Sequence, residues 1–85
     1  MTYRLEVSGP ARRHLHRLPE AVATAIGEFI TGPLLQDPNL LGKPLHPPLD
    51  GLHSARRGGY RIIYRIDGDT VVVLRVGHRA DIYRT

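Results

Sequence analysis

Two runs near the end of the chain, Tyr60-Arg61-Ile62-Ile63-Tyr64-Arg65-Ile66 and Thr70-Val71-Val72-Val73-Leu74-Arg75-Val76, are separated only by Asp67-Gly68-Asp69. Both are rich in β-branched and aromatic residues, so the pair reads as a β-hairpin. Side chains alternate across a strand, and a one-residue slip turns a whole apolar set outward. The even positions Tyr60, Ile62, Tyr64 and Ile66 are expected to face the core together with Val72, Leu74 and Val76. The odd positions Arg61, Ile63, Arg65, Val71, Val73, Arg75 and then Arg79 are expected to face away. Holding the even sets on one face calls for a three-residue loop, Asp67-Gly68-Asp69, with Ile66 opposite Thr70. A two-residue Asp67-Gly68 turn would expose one apolar set.

This register puts arginines beside one another, with Arg61 near Arg75. Like charges opposed on a sheet destabilise it unless an anion sits there. The bland alternative is a solvated face on which arginine stems cover Ile63, Val71 and Val73. Asp67, Asp69 and Asp81 are the only acids from His53 onward, too few to neutralise the arginines. The reading favoured is an anion-binding surface.

Upstream, Tyr3 to Val7 alternates as a short strand. Ser8-Gly9-Pro10 reads as a helix start, with Ser8 as N-cap and Pro10 in the first turn. Ala11, Leu15 and Leu18 lie at helical spacing, and Pro19 separates this helix from a second over Glu20 to Leu35. Val22, Ala25, Ile26, Phe29 and Ile30 form the apolar stripe of the second helix, with Gly32-Pro33 ending or bending it. Gln36 to Gly51 reads as a proline-studded loop, Leu52 to Arg57 as a weak strand ending at Gly58-Gly59, and Ala80 to Arg84 as a last extended piece. The fold class expected is α+β: an N-terminal strand and a two-helix hairpin packed on a mainly antiparallel twisted β-sheet. Eighty-five residues fit a single domain, 1–85.

Composition narrows the partners. The net charge is +4, and all but one of the twelve basic residues are arginine, the exception being Lys43. Arginine presents a planar fork of donors suited to phosphate, which points to nucleic acid or an acidic protein. There is no cysteine, and no stretch approaches the ~20 apolar residues of a membrane span. A cytoplasmic protein is expected. His14 and His16 are two apart on a helix and read as surface residues, not a shared metal site. His46 and His53 show no ligand spacing, and no phosphate loop or metal motif is present, so neither a metal nor a cofactor is expected.

The run Val76-Gly77-His78-Arg79-Ala80-Asp81-Ile82-Tyr83 gathers polar groups after the arginine-bearing hairpin. Together with Arg56-Arg57-Gly58-Gly59-Tyr60-Arg61-Ile62-Ile63-Tyr64-Arg65-Ile66 and the order of elements, it resembles the RelE/ParE superfamily of bacterial toxins, closest to the RelE branch. The resemblance implies a toxin of a type II toxin–antitoxin system: a ribosome-dependent mRNA endonuclease acting in the A site, neutralised by a RelB-like antitoxin. Arg61 matches the arginine of the family's Gly-Tyr-Arg strand, Arg79 the basic residue after Val-Gly-X, and Tyr83 the C-terminal tyrosine. Ser54 stands where many RelE proteins have a basic residue.

On that reading, Arg61 and Arg79 stabilise the phosphate and Tyr83 is a base or a stacking platform. His78 is a reserve acid or base. Arg56, Arg57, Arg65, Arg75 and Lys43 hold the RNA. Three rivals remain: a ParE-like gyrase-inhibiting toxin, a non-catalytic nucleic-acid-binding module, and a degenerate toxin that still binds its antitoxin.

Overall fold

The computed structural model describes residues 2–78. The segment expected to extend over Ala80 to Arg84, with Arg79, Asp81 and Tyr83, lies outside the described residues. The chain runs β1 (Arg4–Val7), α1 (Gly9–Arg17), α2 (Glu20–Phe29), a π-helical turn (Ile30–Leu34), α3 (Pro38–Leu41), β2 (Lys43–Pro44), β3 (His53–Arg57), β4 (Tyr60–Asp67) and β5 (Thr70–His78). The strands form one five-stranded sheet in the order β1-β5-β4-β3-β2. Among the described residues, only the β1–β5 pairing is parallel. This is the expected α+β class.

Helix α1 begins as its sequence dictates. The Ser8 Oγ accepts from Ala11 N–H at 3.1 Å, satisfying one of the free donors of the first turn. Along α2 and the π-helical turn that continues it, Ile26, Ile30 and Leu34 recur every four residues and are all buried. The stripe continues through Pro33 because the wider π turn accommodates a residue without an N–H. The stretch expected to be a plain loop, Gln36 to Gly51, instead contains α3 and β2. Pro38 starts the short helix with its preset φ, and Lys43-Pro44 forms the sheet edge, where a proline is tolerated.

The central hairpin departs from expectation in an informative way. Asp67 pairs with Thr70, so the turn has two central residues, Gly68 and Asp69. Gly68 takes φ 60°, which only glycine adopts at little cost. From this turn, Tyr64 faces Val73 and Ile66 faces Val71, whereas further along Ile62 faces Val76 and Ile63 faces Arg75. Leu74 is therefore the extra residue of a β-bulge.

The expected three-residue loop, and with it the inward placement of Val72 and Leu74, is corrected. Val71 and Val73 are the fully buried core residues, beside Tyr64 and Ile62. Val72 lies on the opposite face, across from Arg65. The bulge restores the parity that the two-residue turn would have broken, so Val76 returns to the core.

Tyr64 is the largest fully buried side chain. Its hydroxyl donates to the Pro38 carbonyl at 2.6 Å, and its ring stacks on His53 at 5.4 Å. Burial pushes the Tyr64 phenol up to about 12, so it stays protonated. Gly42 lies against this ring, and a Cβ there would overlap the hydroxyl. Tyr64 thus ties the Gln36–Gly51 region to the sheet. Tyr64→Phe leaves a buried carbonyl unpaired and is expected to lower unfolding stability by about 1–3 kcal/mol. Equilibrium urea denaturation checks this, and Gly42→Ala is expected to destabilise through the same contact.

Candidate nucleic-acid interface

Register and parity assign every strand residue to a face. The helix side carries Leu5, Val7, Ala55, Ile62, Tyr64, Ile66, Val71, Val73 and Val76. The other side carries four cross-strand rows, the last of them Asp67, Thr70 and Arg4 at the turn end. One runs Lys43, Ser54, Ile63, Arg75. The next runs Arg56, Arg61, Gly77. On the turn side of Ile63 lies a row of Arg65, Val72 and Glu6.

The basic residues are therefore not spread evenly. Lys43, Arg56, Arg61 and Arg75 surround a small platform made by Ser54 and Ile63, which are 7% and 4% exposed. Among the described residues, the acids of this face, Glu6 and Asp67, fall toward the opposite, turn end with Arg65. Arg4 is drawn to Asp69 there, at 3.6 Å.

The expected juxtaposition of Arg61 with Arg75 is refined by this register. The two are diagonal neighbours, at a spacing of about 7–8 Å for such positions. The directly opposed like pair is Arg56 and Arg61. Arg61 is half-buried, and its Nη1 approaches Ser54 Oγ at 3.5 Å. Across β5 it faces Gly77, which has no side chain. Among the described residues, no side chain stands on β5 directly across from Arg61.

Two expected site residues stand apart from this group. Arg57 pairs with Tyr60 and belongs to the helix side, where it borders a shallow cleft with Ala25, Glu28, Phe29 and Pro33. His78 also pairs with Tyr60 and meets its ring edge-on at 5.7 Å. Both lie at the end of the sheet where the faces meet, not in the rows with Arg61. Arg79 and Tyr83 lie outside the described residues.

His14 is corrected from an ordinary surface residue: it is half-buried, and its Nδ1 accepts from Val76 N–H at 3.1 Å. The signal was present in the sequence, since positions 11, 14, 15 and 18 form one helical stripe.

The comparisons agree with this architecture. The family model described as the ParE toxin of the type II toxin–antitoxin system parDE matches residues 5–83. Toxin RelG of Mycobacterium tuberculosis is 52% identical over 86 residues, spanning 99% of this chain and 99% of that protein. Toxin RelE of the same organism is 48% identical over 84 residues, spanning 96% and 87%. A crystal structure of the toxin–antitoxin complex RelBE2 from Mycobacterium tuberculosis superposes with a TM-score of 0.90 at 48% identity, over 93% of this chain and 100% of that one.

If the opposed guanidinium groups repel in the absence of ligand, Arg56→Gln stabilises the free protein at low salt. The expected gain is about 0.2–1 kcal/mol, fading at high ionic strength as screening replaces it. Urea denaturation at two salt concentrations measures it.

The chain belongs to the RelE/ParE family of toxins from type II toxin–antitoxin systems.

Proposed function

We propose that this toxin is a metal-independent endoribonuclease that cuts mRNA in the ribosomal A site and so blocks translation. The observation that carries the reading is the row Arg56, Arg61, Gly77: two guanidinium-bearing positions side by side, with a glycine across from Arg61. The relatives named RelG and RelE, at about half identity over nearly the whole chain, support it. RNA supplies its own nucleophile. The 2′-oxygen attacks the adjacent phosphorus, the P–O5′ bond breaks, and a cyclic phosphate and a free 5′-hydroxyl result. A base takes the 2′ proton and an acid supplies one to the leaving oxygen.

In this scheme Arg61 binds the phosphate oxygens as charge builds on them, acting with Arg79. Arg56, Arg75 and Lys43 hold the flanking backbone, and Arg65 extends the track toward the turn. Arg57 and His78 would meet RNA only where it passes over the end of the sheet. Tyr83 serves as base or stacking platform. A free phenol titrates at ~10; guanidinium charge close to such a group would favour its ionised form. Tyr64 is no substitute, since burial holds it protonated.

The same basic face suits an acidic antitoxin, and the solved relative at 48% identity is a toxin–antitoxin complex. A RelB-like partner is accordingly part of the proposal.

The matched family model carries the ParE name, which makes gyrase inhibition the second reading. Cleavage of ribosome-bound mRNA, run beside a gyrase supercoiling assay, separates the two. Arg61→Ala is expected to fold, by circular dichroism, and to lower the cleavage rate ~10²–10³-fold, the usual loss for one preorganised donor. Cleavage at the parental rate removes Arg61 from the chemistry.

A further inference from the structure

The bulge at Leu74 is held from outside the hairpin. Beyond the end of β1, the edge of β5 is covered by α1 and its cap. Ser8 N–H donates to the Val73 carbonyl at 2.9 Å, and Ser8 Oγ donates to the Leu74 carbonyl at 3.0 Å. His14 Nδ1 accepts from Val76 N–H at 3.1 Å. Val76 sits between Arg75 and Gly77, the two β5 positions that border the basic platform. A strand edge with its donor satisfied keeps one geometry, whereas an orphaned donor relaxes toward water.

We propose that His14 is a positioning residue for the arginine face, fixing through the Val76 N–H the β5 segment that carries Arg75 and Gly77. This rests on the RNA-cleavage reading for its functional readout.

The acceptor role requires an unprotonated Nδ1, so the neutral ring carries its proton on Nε2. The surroundings favour that state. Burial, then the charges of Arg17, Arg75 and Arg13, lower the His14 pKa from its ordinary 6.5. Among the described residues, the charged groups that reach the ring are thus Arg13 and Arg17 from its own helix and Arg75 from β5, all cationic. Because the folded value is depressed, the bond is intact above about pH 6.5. It is lost as pH falls through the lowered value, when protonation turns the acceptor into a donor facing a donor.

The test compares wild type, His14→Asn and His14→Ala. The Asn Oδ1 can occupy the position of Nδ1 and does not titrate. Cleavage of ribosome-bound mRNA is followed from pH 5 to 8, and the Val76 amide shift is followed by NMR in the free protein. The expected result is a wild-type rate that falls on acidification roughly 3- to 10-fold more than that of His14→Asn, the size of one lost hydrogen bond. His14→Ala is expected to be slower than His14→Asn at neutral pH. The wild-type Val76 amide is expected to shift with the titration of the His14 ring, which serves as the readout if His14→Ala does not fold.

Superimposable pH profiles for wild type and His14→Asn overturn the proposal. So does a Val76 amide that ignores His14 titration. A wild type that cuts no mRNA at any pH overturns the cleavage reading instead, while the amide titration still judges the positioning of β5.

Discussion

A two-residue turn and an unbroken apolar face cannot coexist along β4 and β5 unless one strand takes in an extra residue. Leu74 is that residue, and the rest of the molecule is arranged around it. With the bulge, Val71, Val73 and Val76 all reach the core although their numbers do not share a parity. Without it, either the turn half or the distal half of β5 would present its valines to water. Each such side chain is worth about 1.5–3 kcal/mol when buried. Beyond the end of β1, the Leu74 carbonyl and the Val76 N–H on the edge of β5 are met by Ser8 and His14, so the first helix and the last described strand stabilise each other across most of the sequence.

The same irregularity creates the polarity of the sheet. On the side away from the helices, Lys43, Arg56, Arg61 and Arg75 gather round Ser54 and Ile63, while Glu6 and Asp67 lie toward the turn. Repulsion between Arg56 and Arg61 is a small, salt-dependent cost that an anion would remove. Such an arrangement is more useful for holding a phosphate than for holding a fold. Tyr64 works from the other side of β4: it joins the sheet to α3 through Pro38 and keeps the wall beneath the platform rigid. The covering helices and the exposed arginines are thus consequences of a single register.

Much of this was legible in the chain. Ser8-Gly9-Pro10 announced α1 because a hydroxyl cap followed by proline has few other uses, and the stripe from Val22 to Ile30 announced α2. The alternation in Tyr60 to Ile66 placed Arg61 and Arg65 correctly because that strand is regular. The alternation in Thr70 to Val76 misplaced Val71 to Leu74, since four consecutive apolar residues carry no period and a bulge leaves no mark in such a run. Lys43-Pro44 was missed as a strand because two residues pair only when a neighbouring strand is already present. His14 was undervalued because its partner is a backbone donor 62 positions away. Arg57 and His78 were grouped with Arg61 from proximity in sequence, whereas pairing with Tyr60 sends both to the helix side.

The central claim is that a polyanion is bound by the sheet face opposite the helices, through the rows centred on Arg61. Its most direct measurement is NMR mapping of side-chain guanidinium signals during titration with a short, non-cleavable 2′-O-methyl RNA. The account predicts that Arg56, Arg61 and Arg75 shift first and together, while Arg12, Arg13 and Arg17 on α1 remain still. Shifts centred on α1 or on the α2 cleft beside Arg57, with Arg61 silent, would contradict it.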